Sequence, residues 1–218
     1  GSIAGVIAPW LGGVLGLLSA YMIVHRAPLF GGGRSLASML LWVTFVPTLL
    51  FLHLVLNWLP TLVTAKGFAD SGSLASVIFN VLGVTGALVF GPIVDRFGMR
   101  WPLTIGFLGV IGALIGLGEA AGFIPIMALC GALGFFLLGC NFALYGAAPS
   151  YYPGEIRGRG SGASVAWGRL GSVAGPLAGG YLLQGGAPPQ DVVYAMAPFA
   201  AVAGAGVLLL TYLTRPTG

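Results

Sequence analysis

Apolar residues run along this chain in long blocks, not at alternate positions and not along one helical stripe. Seven blocks stand out: Ile3–Val24, Leu36–Val63, Ser73–Val94, Pro102–Gly118, Phe123–Ala148, Ser161–Leu183 and Val192–Leu213. A helix needs about 20 such residues to cross the hydrocarbon core of a bilayer. The fourth block is short. The second is long and holds Pro47, so tilt or a kink is expected there. The run lengths, the lack of period-two alternation and the wealth of Ala, Leu and Gly exclude strands. The pattern implies an all-α integral membrane protein with about seven transmembrane helices. A structural repeat of three helices plus three, after the first block, is compatible with it.

The polar connectors add an orientation. Alternate connectors carry Arg26 and Arg34, then Arg96 and Arg100, then Arg157 and Arg159, then Arg215. The intervening ones hold Lys66 as their only basic residue, with Asp70, Glu119 and Asp191. The bias of basic residues toward cytoplasmic loops places the arginine set inside and the Lys66 set outside.

Composition agrees: only 6% of the 218 residues are charged and 57% are hydrophobic. A soluble domain carries about 25% charged residues. The 38 glycines fit helices that approach one another closely in lipid. Basic residues occur singly between apolar runs, so no nucleic-acid footprint is present. Cys130 and Cys140, ten residues apart on one helix and so about 15 Å apart, are too distant for a disulfide. No Cys/His metal spacing or phosphate-cradling loop appears, and Ser161 has no base placed by sequence. An enzyme is therefore not expected, and no cofactor or metal is implied.

Several polar residues interrupt the apolar blocks. Arg169 is the only charged residue within any of them. At that depth a charge costs a few kcal/mol or more unless paired or hydrated. It either snorkels to the interface or offers its planar fork to a carboxylate. Gly171, Gly175 and Gly179 follow it in a small-xxx-small pattern that implies tight packing of the same helix. His53 and Asn57 lie one helical turn apart, as do Asn141 and Tyr145, and Asn80 sits in the third block. Each is either a hydrogen-bonding tie between helices or part of a polar cavity near the midplane. Their spread over three blocks beside Arg169 favours the cavity. His53 is open to two readings: a group that titrates near neutral pH, or a neutral hydrogen-bonding side chain.

Two connectors carry motifs. Gly91-Pro92-Ile93-Val94-Asp95-Arg96-Phe97-Gly98-Met99-Arg100 is expected to form a very short turn, with Gly98 supplying a backbone geometry closed to other residues. Tyr152-Pro153-Gly154-Glu155-Ile156-Arg157-Gly158-Arg159-Gly160 forms the next turn on that side. The first resembles the loop signature of the major facilitator superfamily, and the second resembles the Pro–Glu–x–Arg turn of its organic-solute carriers. The resemblance implies a conformational latch at Gly91, Asp95, Arg96, Gly98 and Arg100, with Glu155 and Arg157 in the same charge network. Asn57-Trp58-Leu59-Pro60-Thr61-Leu62, together with Trp167-Gly168-Arg169-Leu170-Gly171-Ser172-Val173-Ala174-Gly175-Pro176, is similar to the aromatic acid:proton symporter family.

That likeness implies spans 6–12 of a major facilitator fold. Residues 1–35 would hold the last span of the N-terminal half and a shortened central linker. Residues 36–218 would be the C-terminal six-helix half. It implies proton-driven transport of a small organic anion, an aromatic acid, with Arg169, His53, Asn57, Asn80, Asn141 and Tyr145 lining the site. Its partners would be that anion, the proton, the lipid bilayer and the missing N-terminal half, in a bacterial inner membrane as a multi-pass protein. A carrier of a sugar or a non-aromatic acid, or a non-transporting membrane binding module, are the alternatives. The orientation makes a direct forecast. A single cysteine at position 157 should resist an impermeant thiol reagent in intact cells, and one at position 119 should react. Labelling of position 157 from outside overturns the topology.

Overall fold

The computed structural model describes residues 35–184 and 189–214. The expected span at Ile3–Val24 lies outside them. Six long helices account for most of the described chain: α1 (Ser35–Ala65), α2 (Gly72–Phe97), α3 (Arg100–Glu119), α4 (Phe123–Ala147), α5 (Arg157–Gln184) and α6 (Pro189–Leu213). Short 3-10 turns at Ala69–Ser71 and Ala148–Tyr151 lie in two of the connections. No strand occurs among the described residues.

Five of these helices are long and apolar enough to cross a membrane. The exception, α5, is as long but carries eight glycines together with Arg157, Arg159 and Arg169. Large apolar side chains such as Leu88 (72% exposed) and Ile124 (77%) remain on the outer faces. Lipid solvates such faces, so the helices are not restricted to one apolar stripe. Pro47 and Pro60 both lie inside α1 without ending it.

The turns are tighter than their motifs imply. Gly91 through Phe97 continue α2, and only Gly98 and Met99 separate it from α3. Gly98 adopts φ +76°, and its N–H donates to the Val94 carbonyl at 2.8 Å. That is the left-handed region where a Cβ is unfavourable, so the glycine is required by the backbone. In the second motif Arg157–Gly160 already belong to α5.

Packing is set by two close pairs, α2 with α4 and α1 with α5. Exchanging the triplet α1–α2–α3 for α4–α5–α6 carries one pair into the other. The same exchange carries α3–α4 into α6–α1 and leaves α3–α6 in place, and all of these contacts are observed. The three-plus-three repeat is thus present in the pairing of helices. Glycines make both close pairs. A Cβ at Gly86 would strike the Phe135 carbonyl oxygen, and one at Gly134 that of Phe79. At Gly171 and Gly175 it would strike the Val46 and Leu50 carbonyls.

Alternation of the helices collects the connectors at two ends. At one, Lys66 Nζ donates to the Gly118 and Ala120 carbonyls at 2.8 and 3.2 Å, capping the C-terminus of α3. Beside it the Tyr194 hydroxyl donates to the Glu119 carboxylate. At the other end Tyr151 and Tyr152, both fully buried, fasten the turns. Tyr151 Oη donates to Met99 Sδ at 3.5 Å, and Tyr152 Oη donates to Ser38 Oγ at 3.1 Å. Ser164 Oγ lies 3.4 Å from the same Tyr152 hydroxyl.

The glycine contacts give a sharp comparison. Gly86→Ala should lower stability by about 1–3 kcal/mol, because backbone cannot yield as a side chain can. Gly112→Ala, where a Cβ meets nothing within 4 Å, should be neutral or slightly stabilising. Thermal unfolding of the full-length protein in detergent measures both. Equal midpoints for the two variants contradict the packing.

Candidate functional site

Arg169 stands more than three turns into α5, about 18 Å from its start. This is deeper than the two turns implied by the apolar block, because the helix begins four residues earlier. The contacting glycines of α5 face α1: Gly168 meets Phe45 and Leu49, Gly171 meets Val46, and Gly175 meets Leu50. At 100° per residue Arg169 then points away from the seam, and it is exposed. His53 on α1 and Tyr145 on α4 are partly buried and lie within electrostatic range of Arg169, an influence on each that is minor beside burial. Three of the expected site residues, from three helices, thus share one electrostatic neighbourhood. Tyr145 is steadied by Phe45, whose ring meets it edge-on at 5.2 Å.

The other candidates are distributed more loosely. Asn57 and Asn80 are exposed on α1 and α2, whereas Asn141 is buried, with only 3% of its surface accessible. Three of the polar side chains bond within their own helix. His53 Nδ1 bonds the Leu49 carbonyl at 2.9 Å, Asn57 Nδ2 donates to the His53 carbonyl at 2.7 Å, and Asn80 Nδ2 donates to the Ser76 carbonyl at 2.8 Å. None of these three bonds ties one helix to another. Because a carbonyl only accepts, His53 Nδ1 carries the hydrogen and Nε2 is the basic nitrogen. Asn141 Nδ2 is buried without a partner among the described residues. An unpaired donor of this kind costs about 1–3 kcal/mol and so marks a place where an acceptor fits.

Both aromatic motifs take part in the α1–α5 seam. Trp58 Nε1 donates to the Pro176 carbonyl at 3.1 Å, and the Trp58 ring lies where a Cβ of Gly179 would be. Trp167 stacks on Trp42 with ring centroids 5.0 Å apart. These rings border an apolar groove of about 610 Å³ that continues along Met39, Val46, Leu50 and Val202.

The residues expected to form the latch lie at the end fastened by Tyr151 and Tyr152. Asp95, Arg96, Arg100, Glu155 and Arg157 are all exposed. Among the described residues no ion pair joins them. Arg96 lies over the Phe97 ring at 5.5 Å, and Arg157 Nε donates to the Tyr152 carbonyl at 3.4 Å. The two turns meet through Tyr151 and Met99 instead. Tyr152 opens the second motif in the sequence, but neither it nor Tyr151 was given a role there. An aromatic pair at the end of an apolar block was the available signal.

Comparison with known proteins places the arrangement. The 3-(3-hydroxyphenyl)propionate transporter of Escherichia coli (strain K12) is 32% identical over 92% of this chain and 54% of its own length. The gallate transporter of Pseudomonas putida is 32% identical over 73% of this chain and 36% of its own. The 4-hydroxybenzoate transporter of the same species is 30% identical over 84% and 41%. The chain thus spans about half the length of the first of these relatives, and less of the other two. A family model described as the Major Facilitator Superfamily matches residues 36–218. With the helical architecture, the two turn motifs and these relatives in agreement, the chain belongs to the Major Facilitator Superfamily and is similar to aromatic acid transporters within it.

Proposed function

We propose that this chain is the C-terminal half of a secondary transporter that carries a small aromatic carboxylate together with protons. The observation that carries the proposal is the exposed Arg169, the one charged residue of α5 beyond its first turn and more than three turns into the helix. The names of the three relatives, all transporters of aromatic compounds, support the substrate class. A guanidinium presents parallel N–H donors that match the two oxygens of a carboxylate. Asn57 and Asn80, exposed on neighbouring helices, supply hydrogen bonds to ring substituents. The unpaired Asn141 donor takes an acceptor from the substrate or from a bridging water.

His53 is suited to coupling because its Nδ1–H is held by the Leu49 carbonyl and its Nε2 is left to accept a proton. Binding occurs between this half and the other one, and alternating access moves one against the other. Asp95 and Arg96, at the end of α2, bias the balance of states without lining the site.

Arg169→Lys keeps the charge and loses the planar fork, so transport of benzoate-type acids by the full-length carrier should fall clearly. Arg169→Ala should lose more, about 2–5 kcal/mol of binding if the pair is desolvated. Uptake and equilibrium binding, with expression level controlled, separate the two. A fully active lysine variant returns Arg169 to snorkelling and removes the main physical reason for an anionic substrate. Asp95→Asn should slow uptake more than it weakens binding. Unchanged uptake rejects the latch. Collapse of the proton gradient should abolish accumulation, and accumulation that persists rejects proton coupling.

A further inference from the structure

Arg100, one of the residues expected in the latch, rests against aromatic rings. Its guanidinium carbon sits 3.4 Å above the centroid of the Tyr212 ring, near the end of α6, and 5.8 Å from that of Trp101. It therefore lies on the seam between α3 and α6. The candidate site is built on α1, α2, α4 and α5. We propose that this seam binds the headgroup of an anionic phospholipid, with Arg100 as the phosphate ligand.

The chemistry follows from how Arg100 is held. Stacking engages the face of the guanidinium and leaves its in-plane N–H donors available. Among the described residues no acceptor takes them. Those donors match the two unesterified oxygens of a phosphodiester. The rings sit where a lipid headgroup would be: Trp101 is 64% exposed and Tyr212 is 59% exposed, each at the end of a spanning helix. Amphipathic rings at helix ends settle at headgroup depth. Below them the same face of α3 continues through Ile105, Leu108, Gly112 and Ile115, all exposed and spaced by three and four residues. A Cβ at Gly112 would meet nothing within 4 Å, so the track has an open notch. A cation above an unbroken apolar track fits an amphipathic anion and not a free one.

Local charge is favourable. Arg96, Arg100, Arg157 and Arg159 occupy this end, against the carboxylates Asp95 and Glu155. Asp95 lies on α2 and makes no ion pair with Arg100 among the described residues.

The test uses the full-length protein in detergent, titrated with phosphatidylglycerol or with phosphatidylcholine of the same acyl chains. Native mass spectrometry reads occupancy, and thermal unfolding reads stabilisation. Phosphatidylglycerol should bind in preference and raise the unfolding midpoint. Arg100→Gln should weaken that preference about fivefold, the effect of one basic residue at a charged surface. Arg159→Gln should weaken it less. Tyr212→Leu, which keeps the helix and removes the stack, should lower it in the same sense as Arg100→Gln. It is the readout of choice if the glutamine variant folds poorly. The proposal is overturned by no preference in the parent protein, by equal preference in the Arg100→Gln variant, or by equal stabilisation with inorganic phosphate alone. Binding of an aromatic acid should be unchanged in Tyr212→Leu, which touches neither the proposed site nor the latch, so failure here leaves the transport reading untouched and the converse also holds.

Discussion

Lipid tails are as apolar as leucine side chains, so burying leucine between two membrane helices gains little over leaving it in the bilayer. What holds such helices together is how closely their backbones can approach, through dispersion contacts and the few hydrogen bonds that proximity permits. In this protein that approach is fixed at Gly86 and Gly134 between α2 and α4, and at Gly171 and Gly175 between α1 and α5. At each of the four, a carbonyl of the facing helix occupies the space a side chain would need. The second seam also decides the site. Because Gly168, Gly171 and Gly175 turn toward α1, Arg169 must turn outward from the same helix. The Trp58–Pro176 hydrogen bond fixes the sliding position of α1 against α5, and hence the height of His53 relative to Arg169.

The apolar blocks carried most of the architecture. Each described helix lies within a few residues of its block, because span length is dictated by bilayer thickness and not by partner helices. The blocks were less informative about α5. Its glycines and arginines lower its hydropathy, and its helix begins before the apolar run does. Which faces meet was not legible. In a soluble helix the buried stripe shows its orientation, but here every face is apolar, so periodicity carries little information. Glycine spacing was the substitute signal, and it indicated close packing of α5 without naming α1 as the partner.

The candidate site was legible as a set of residue types but not as a geometry. Arg169 drew notice because a lone charge in an apolar block has few innocent explanations. Which helices it can face depends on α4 and α5 both packing against α1, which one sequence does not reveal. The contacts of Tyr151 and Tyr152 and the Arg100–Tyr212 stack were missed for a related reason. They are long-range juxtapositions of residues that individually look like ordinary interface aromatics. The turn motifs pointed to the right end of the bundle. There the carboxylates stand apart from the arginines, while tyrosines make the contacts between turns.

One consequence of the proposed site concerns what it costs when empty. His53, Asn57 and Asn80 each rest on a carbonyl of the preceding helical turn. A polar side chain that depended on solute for its hydrogen bond would strand a donor every time the solute left, adding a penalty to each empty stage of a cycle. A resting bond within the helix removes most of that penalty, and a rotamer change exchanges it for a bond to the guest. In a carrier whose site they line, as proposed above, loaded and empty forms would thereby be brought closer in free energy. A cyclic machine gains from such levelling, since a deep minimum at any stage would limit its turnover. Asn141, whose donor has no such resting partner, would then report occupancy most strongly of the four.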